Sequence, residues 1–300
     1  MPPRRPLLLA LLAVAIVVAS TAPILIRLST APVAVKVLYR LLFSTAVLLP
    51  VALVWYREAF ERLSRRDAAA ATGAGVVLAT QFVVWFESLE WTTVAASVTL
   101  GQTQVIFVGL GAAAFLDERL TRRAAVGMVV GLVGAMLVTS GGAFSPDLLR
   151  GPDPVLGNTL SVVAGGLFAA YLLLGRSLRQ RVATVPYLTV VYGIAAIVTF
   201  GFAVATGVVV SPIAYPGREH VLFLGLALGP GILAQGLIMW LLAYLRSAVV
   251  SVAFLAVPLV STVFAAIVLA ETPGVLTLVG GGIVLVGIYA TVRGRTPSAG

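Results

Sequence analysis

Long apolar runs separated by short polar segments are the feature that most constrains this chain, because a helix needs about 20 apolar residues to cross a bilayer. Only 10% of its 300 residues are charged, against roughly 25% in soluble domains, so the chain lacks the polar surface of a soluble enzyme. The runs also lack the alternation of barrel strands. We therefore predict an all-α membrane protein with ten transmembrane helices, near 7–28, 33–55, 68–88, 93–116, 124–141, 156–175, 185–208, 221–244, 248–270 and 275–292.

The basic residues predict the orientation of these spans, since cytoplasmic loops carry an excess of Arg and Lys. With the N-terminus in the cytoplasm, Arg150 and Arg218 fall on outer loops, and Arg27, Lys36 and Arg40 lie in or at the outer ends of the first two spans. The other 15 of the 20 basic residues fall on cytoplasmic segments: Arg4, Arg5, Arg57, Arg62, Arg65, Arg66, Arg119, Arg122, Arg123, Arg176, Arg179, Arg181, Arg246, Arg293 and Arg295. The net charge of +9 thus reflects topology, not nucleic-acid binding. We predict a multi-pass protein of the plasma or inner membrane with both termini cytoplasmic.

The two halves of the chain are similar in sequence. The stretch that begins at Val94 aligns with the stretch that begins at Ser247 at a constant offset of 153 residues, without gaps. Glu118 then meets Glu271, and Gly127 meets Gly280. The same offset pairs Tyr39 with Tyr192 and Gly134 with Gly287. We therefore predict two five-helix repeats, one over 1–142 and a second over 155–294.

An odd number of spans in each repeat requires the two repeats to insert with opposite orientations. The charges agree, since the turn at 117–123 carries three Arg residues and its partner at 271–274 carries none. Inverted repeats are typical of secondary transporters, which bind substrate near the midplane between the halves. The second repeat is therefore predicted to be inverted.

Ten spans in two five-helix halves, each ending in helix–Glu–helix, resemble the EamA-type transporters of the drug/metabolite transporter superfamily. The matching pieces are 115–120 with the glycine-containing helix that follows it, and Pro258 to Glu271 with its own glycine helix. Arg40 in the second span also fits the family. One departure is visible, because the family usually has a proline in the middle of the fourth span, where this chain has 102–105, Gln-Thr-Gln-Val. The resemblance implies export of metabolites, often amino acids, and does not specify the substrate.

Ionisable residues inside the bilayer are costly and therefore become candidates for function. Lys36 and Arg40 are four apart on one helix face and could attract a carboxylate or phosphate. Alternatively, Lys36 reaches the outer headgroups and Arg40 binds carbonyls of neighbouring helices. Glu87 and Glu90 could carry a proton, or form a salt bridge at the membrane rim.

Amides and aromatic residues form the second group of candidates. In the fourth span, Gln102 and Gln104 are expected to point to different faces, and Gln104 is favoured as the one that lines a cavity. A Gln precedes a Trp in both the third and the eighth span. Those residues could line the cavity, although the alternatives are interhelical hydrogen bonds and interfacial belts. The remaining predicted substrate-binding residues are Gln81, Trp85, Gln235, Trp240, Tyr39, Tyr171 and Tyr192.

Prolines inside the spans are candidate hinges for alternating access. Pro230 interrupts the eighth span and Pro258 the ninth, and both could equally be tolerated kinks. Glu118 and Glu271 are read as structural residues that brace tight turns. The glycines of the fifth and tenth spans predict packing faces that hold helices within one half or join two subunits, so a homodimer is an open alternative.

The remaining composition narrows the function. There is no Cys, the only His is His220, and no Walker-type phosphate loop is present, so we predict no metal, no cofactor and no ATP hydrolysis. We predict a secondary transporter, not an enzyme, that exports a small polar metabolite such as an amino acid by alternating access. Its expected partners are a small-molecule solute and membrane lipid, without nucleic acid. The alternative is an intramembrane lipid-modifying enzyme or a lipid flippase.

Overall fold

A computed structural model describes residues 5–61, 64–92, 97, 100–115, 121–140, 152–257, 259–260, 263–264 and 275–293. Every regular element within these ranges is helical. The α-helices are α1 (Arg5–Ala19), α2 (Ala22–Leu28), α3 (Val33–Trp55), α4 (Arg57–Glu61), α5 (Arg65–Trp91), α6 (Gln104–Phe115), α7 (Arg122–Ser140), α8 (Pro154–Arg179), α9 (Thr184–Ala205), α10 (Gly217–Leu226), α11 (Gln235–Leu241), α12 (Ser247–Ala253) and α13 (Val275–Arg293). A short 3-10 helix covers Pro212–Ala214, and a π-helix covers Ala227–Ala234.

Six helical segments are long and apolar enough to cross a membrane. They are Arg5–Ile26, Val33–Trp55, Arg65–Ser88, Pro154–Arg179, Thr184–Ala205 and Gly217–Leu241. These match the predicted first, second, third, sixth, seventh and eighth spans. Shorter apolar helices lie at Gln104–Phe115 and Val279–Ala290. The protein is therefore an all-helical membrane protein. The predicted brace residues Glu118 and Glu271, and the predicted hinge Pro258, lie outside the described residues.

The chain divides into two compact units, and each contains helices from both halves of the sequence. The first unit is Met1–Phe86 with Leu174–Tyr244, and the second is Glu87–Leu173 with Leu245–Gly300. Two of the three boundaries fall inside α5 and α8, and the third lies between α11 and α12. In the first unit α3 packs on α9, and in the second α7 packs on α13. These are pairs of helices that the 153-residue offset relates to each other.

The helix bounds follow the same offset. Shifting α7 by 153 positions gives 275–293, which are the bounds of α13. Shifting α3 gives 186–208, close to α9 at Thr184–Ala205. Shifting α5 gives 218–244, close to the continuous segment Gly217–Leu241. Similar helix lengths thus recur in both halves of the chain.

Glycines bring α7 and α13 into close contact. A Cβ at Gly134 would lie 2.8 Å from the carbonyl oxygen of Gly280, and a Cβ at Gly287 would lie 2.7 Å from that of Gly127. The residue number of the contacting glycine decreases along α13 as it increases along α7, so the two helices are antiparallel. The sequence predicted faces within one half or between subunits, whereas these glycines join the two halves of one chain.

The sequence predicted one continuous helix for the fourth span, but the structure has a break in it. Residues 102 and 103 form a turn before α6 begins at Gln104, and the N–H of Thr103 bonds the carbonyl of Leu100 at 3.1 Å. The Thr103 hydroxyl also donates to that carbonyl, at 2.6 Å, which competes with the regular helix ladder. The ninth span has an equivalent break, where the N–H of Phe254 bonds Ser251 at 3.1 Å. The fourth span therefore breaks here without the proline that the family usually has.

A buried carboxylate holds two segments together at the end of the first unit where α3 and α10 begin. Glu219, in the first turn of α10, is only 2% exposed. It accepts hydrogen bonds from the Ser29 hydroxyl, from the Thr30 N–H at 2.9 Å and from the Thr30 hydroxyl at 3.0 Å. The linker between α2 and α3 is thereby held to α10. Nothing in the sequence singled out this residue.

At the opposite end of the first unit, two arginines of α8 bind the C-terminal end of α11. Near the C-terminus of α8, Arg176 donates to the carbonyl of Leu242 at 2.5 Å, and Arg179 donates to that of Met239 at 3.1 Å. These carbonyls lie at the C-terminal end of α11, where helix carbonyls lack intrahelical partners and carry partial negative charge. Two of the basic residues that predicted the topology thus also cap a helix.

We expect Gly287→Ala to destabilise the protein by about 1–3 kcal/mol, because the added methyl group would force α7 and α13 apart. Thermal unfolding in detergent measures the effect. Gly282→Ala is the matched control, since a Cβ at Gly282 meets nothing within 4 Å. That change should leave the midpoint unchanged or raise it. Equal midpoints for the two variants would contradict the close glycine packing.

We expect Glu219→Gln to lower the unfolding midpoint, with a loss of about 1–3 kcal/mol, because the new amide turns a donor toward groups that are themselves donors. Glu87→Gln serves as the control, since Glu87 is exposed and accepts a hydrogen bond from the Trp91 indole at 3.1 Å. An unchanged midpoint for Glu219→Gln would show that Glu219 does not hold the linker.

Candidate functional site

Arg40 lies at a junction of helices from both halves of the chain. Its guanidinium carbon is 4.8 Å from the centre of the Phe82 ring, which comes from α5. Its Nε would lie 3.7 Å from a Cβ at Gly231, in the π-helix. A cation over an aromatic face is stabilised by the quadrupole of the ring. The guanidinium is half-buried and held in a defined position.

Gly231 must be a glycine for this arrangement. A Cβ there would lie 2.8 Å from the Ser44 hydroxyl and 3.0 Å from the carbonyl of Leu226. The absent side chain lets α3 approach the π-helix, and this brings Arg40 to the same place. The Gly-Pro-Gly sequence is the signal for this break, whereas nothing in the sequence distinguished Phe82 or Ser44.

The π-helix exposes backbone groups that neighbouring helices satisfy. Pro230 lies inside it and lacks the N–H that would continue the regular ladder. The Tyr192 hydroxyl, from α9, donates to the carbonyl of Gly231 at 2.5 Å. The Ser44 hydroxyl, from α3, donates to that of Ala227 at 3.3 Å. Single-turn π-helices are frequent at functional sites. Tyr192 and Ser44 therefore satisfy carbonyls at this break in the helix.

Two buried amides in the first unit each have one atom without a hydrogen bond. Gln81 precedes Phe82 on α5, and Gln235 follows Gly231 by one turn. Neither Gln81 Oε1 nor Gln235 Nε2 has a hydrogen-bond partner among the described residues. Leaving such an atom buried and unsatisfied costs about 1–3 kcal/mol. One atom is an acceptor and the other a donor, so both are candidates to bind a solute.

Trp85 and Trp240 are half-buried and lie against other aromatic residues of the first unit. The Trp85 ring is 5.2 Å from that of Phe86, and the Trp240 ring is 4.7 Å from that of Tyr244. These contacts are compatible with both predictions for the tryptophans, a cavity wall or an interfacial belt.

Tyr39 belongs to an aromatic cluster beside Glu219. Its ring stacks on Phe223 at 5.1 Å, with the His220 ring 5.9 Å away, and its hydroxyl donates to the carbonyl of Val210 at 2.8 Å. Tyr215 joins this cluster through Phe223. Burial raises the pKa of Tyr215, whose hydroxyl donates to a carbonyl at 2.6 Å. Tyr39 thus donates its hydroxyl to the backbone, as its repeat partner Tyr192 does.

The remaining candidates, Gln104 and Tyr171, lie in the second unit. Gln104 is buried, and its Nε2 donates to Gln102 Oε1 at 3.4 Å. The sequence predicted that the two amides point to different helix faces. They instead contact each other, because α6 begins only at Gln104. Gln104 Oε1 has no hydrogen-bond partner within the described ranges. Tyr171 is fully buried, with its ring 6.1 Å from that of Phe168.

Two other charged candidates, Lys36 and Glu87, have structural contacts. Lys36 donates to the carbonyl of Ile26, at the end of α2, at 3.4 Å. Glu87 is exposed and binds the Trp91 indole, and the side chain of Glu90 lies outside the description. In the part of the chain that the structure describes, no group of three His, Cys, Asp or Glu residues could hold a metal ion.

The first unit therefore brings together a cation, an aromatic face and a helix break, with buried amides on the same helices. A guanidinium suits a carboxylate or phosphate, an amide donor adds a second contact to such a group, and an amide oxygen accepts from an ammonium or hydroxyl. The arrangement can bind a small polar solute.

Comparisons with known proteins identify the family. The EamA-like transporter family model matches residues 4–140 and 155–293. An uncharacterized transporter of Archaeoglobus fulgidus is 25% identical over 222 residues, which cover 74% of this chain and 73% of that protein. One solved crystal structure has a TM-score of 0.77 at 18% identity, with 96% of each chain covered, and this likeness shows the fold alone.

The two family matches confirm the resemblance seen in the sequence and indicate a duplicated repeat. They also confirm the prediction that the chain is not an enzyme, because the family is one of membrane transporters. Since the matches cover nearly the whole chain, the protein belongs to the EamA-like transporter family.

Proposed function

We propose that this transporter carries a small polar metabolite, such as an amino acid, out of the cell by alternating access, and that Arg40 binds the anionic group of that solute. The observation that carries the proposal is the position of the Arg40 guanidinium, 4.8 Å from the Phe82 ring and next to the break at Gly231. An arginine inside a membrane span is expensive and therefore favours a functional role.

Arg40 and the buried amides of neighbouring helices suggest a zwitterionic solute. Arg40 and Gln235 Nε2 supply donors for a carboxylate, and Gln81 Oε1 supplies an acceptor for an ammonium group. The Phe82 face offers an apolar surface beside the cation. Gln104, in the second unit, stays a prediction as a substrate-binding residue, and its Oε1 has no hydrogen-bond partner among the described residues. Tyr39, Tyr171, Tyr192, Trp85 and Trp240 stay predictions as substrate-binding residues.

We further propose ten spans in two inverted repeats, over 1–142 and 155–294, with both termini in the cytoplasm. This arrangement is supported by helix bounds that recur at an offset of 153 and by the antiparallel contact of α7 with α13. It is also supported by the arginines of the turn at 117–123, which its partner at 271–274 lacks. Equivalent helices with opposite directions are what an inverted repeat produces.

Alternating access requires segments that can change shape without leaving backbone groups unsatisfied in lipid. The π-helix around Pro230 is such a segment, because its exposed carbonyls bond the side chains of Tyr192 and Ser44. Side-chain hydrogen bonds can exchange partners as the helix moves. We propose Pro230 as a hinge on this basis, and Pro258 on the basis of the sequence.

We expect Arg40→Ala to reduce transport of an amino acid or other anionic solute by about 10- to 100-fold, since a charge-assisted hydrogen bond contributes about 1.5–3 kcal/mol. Uptake and efflux in proteoliposomes with mixed metabolites measure the effect. Neutral solutes should be affected less.

Lys36→Ala is the matched control for Arg40→Ala. It removes a charge from the same helix face, and Lys36 donates a capping bond to the carbonyl of Ile26. This variant should keep most transport. Equal losses for both variants, or none for Arg40→Ala, would remove Arg40 from the binding site. Movement of lipid without solute flux would favour the flippase alternative.

The topology can be tested by labelling, because the chain has no Cys. We expect single variants Ser145→Cys and Thr272→Cys to react with an impermeant thiol reagent added outside, and Gln180→Cys to react only after permeabilisation. Labelling of Thr272→Cys from the cytoplasm alone would contradict the ten-span arrangement.

A further inference from the structure

A groove of about 750 Å³ lies in the first unit, away from Arg40, where α3 ends and α5 and α9 begin. The end of α3, the start of α4, the first turn of α5 and the linker between α8 and α9 form its walls. The lining residues are Val54, Trp55, Tyr56, Arg57, Glu58, Ala59, Asp67, Arg181, Val182 and Ala183.

The groove lies at the level where the chain leaves the apolar part of the membrane. The candidate span Val33–Trp55 ends at its wall, and Thr184–Ala205 begins next to it. Val54 is 72% exposed and Trp55 76% exposed. Tryptophans are enriched at the membrane–water interface. The groove is therefore open to the region that lipid headgroups occupy.

The charges of the groove are mixed and balance each other. Arg57 and Arg181 are positive, Glu58 and Asp67 are negative, and all four line the groove. Such a lining suits a ligand that carries both charges.

Asp67 orients Arg181 in this groove. The Arg181 Nη2 is 3.4 Å from Asp67 Oδ1, and the Ser64 hydroxyl donates to the other oxygen of Asp67 at 2.6 Å. The Arg181 side chain remains 52% exposed, and a guanidinium has five N–H donors. Arg181 can therefore hold Asp67 and still bind an oxyanion.

We propose that this groove binds the headgroup of a zwitterionic phospholipid with a primary ammonium, phosphatidylethanolamine. Arg57 and Arg181 bind its phosphate, Glu58 binds its ammonium, and its acyl chains lie against Val54 and Trp55. The exposed apolar residues favour a lipid over a soluble zwitterion, which has no chain to place there. A primary ammonium can donate three hydrogen bonds, whereas the quaternary ammonium of phosphatidylcholine donates none.

Lipid competition on the purified full-length protein tests this site. The protein is mixed in detergent with equal amounts of phosphatidylethanolamine, phosphatidylcholine and phosphatidylglycerol of the same acyl chains, and retained lipid is counted by native mass spectrometry. We expect phosphatidylethanolamine to be retained in several-fold excess. Equal retention of phosphatidylethanolamine and phosphatidylcholine, or preferred retention of phosphatidylglycerol, would overturn the proposal.

Variants locate the site. Glu58→Gln should abolish the excess of phosphatidylethanolamine, because Glu58 binds the ammonium group. Arg181→Gln should lower the retention of all three lipids by about tenfold, the value of roughly one charge-assisted hydrogen bond, because they share the phosphate. Both residues are exposed enough for the variants to fold, which thermal unfolding checks. Arg122→Gln, at an exposed arginine in the first turn of α7, is the control and should change nothing. An equal loss in the control would show only general attraction to basic loops, and displacement of the lipid by a soluble amino acid would assign the groove to a solute.

Discussion

The structure depends on one constraint: inside a membrane, every backbone N–H and carbonyl must find a partner within the protein. Helices meet that requirement by themselves, so breaks are tolerated only where side chains or tighter turns take over. The π-helix Ala227–Ala234 is such a place, since Tyr192 and Ser44 bond its carbonyls. The break before Gln104 is another, where shorter-range backbone bonds and the Thr103 hydroxyl replace the regular ladder.

The same constraint explains how the helices pack. Lipid tails are as apolar as leucine side chains, so helices associate through close contact instead of hydrophobic burial. Glycines allow that contact between α7 and α13, in an arrangement in which Gly134 meets Gly280 and Gly127 meets Gly287. These contacts are reciprocal under the repeat offset. A duplicated sequence thus forms contacts between its two copies, and each compact unit is built from both.

Charged side chains are arranged by the same logic. Glu219 is buried and accepts three hydrogen bonds from Ser29 and Thr30, which holds the ends of α3 and α10 together. Arg40 has instead an aromatic face and a glycine beside it. The Arg40 guanidinium is the group that we propose to bind the solute, whereas the Glu219 carboxylate holds helices together. The function of an EamA-family transporter then rests on a small number of polar atoms within an apolar scaffold.

The spans and the repeat could be predicted from the sequence, because membrane insertion depends on local properties of each segment. The length of an apolar run decides whether it spans, so six candidate spans lie where the runs predict them. The offset of 153 likewise recurs in the helix bounds, since similar sequences form similar helices. Arg40, Tyr192 and Pro230 were also recognisable, as a charge, a repeat partner and a helix breaker in apolar surroundings.

What only the tertiary structure decided is which residues meet. Phe82 and Ser44 carry no signal of their own, and they matter because Gly231 lets α3 approach the π-helix. Glu219 resembles an ordinary residue of a short polar segment until α10 brings it to Ser29 and Thr30, some 190 positions away in sequence. Gln102 and Gln104 come together because the helix breaks between them, which the periodicity of a continuous helix could not show. Apolar content and charge are properties of single segments, whereas a binding site is a property of contacts between segments.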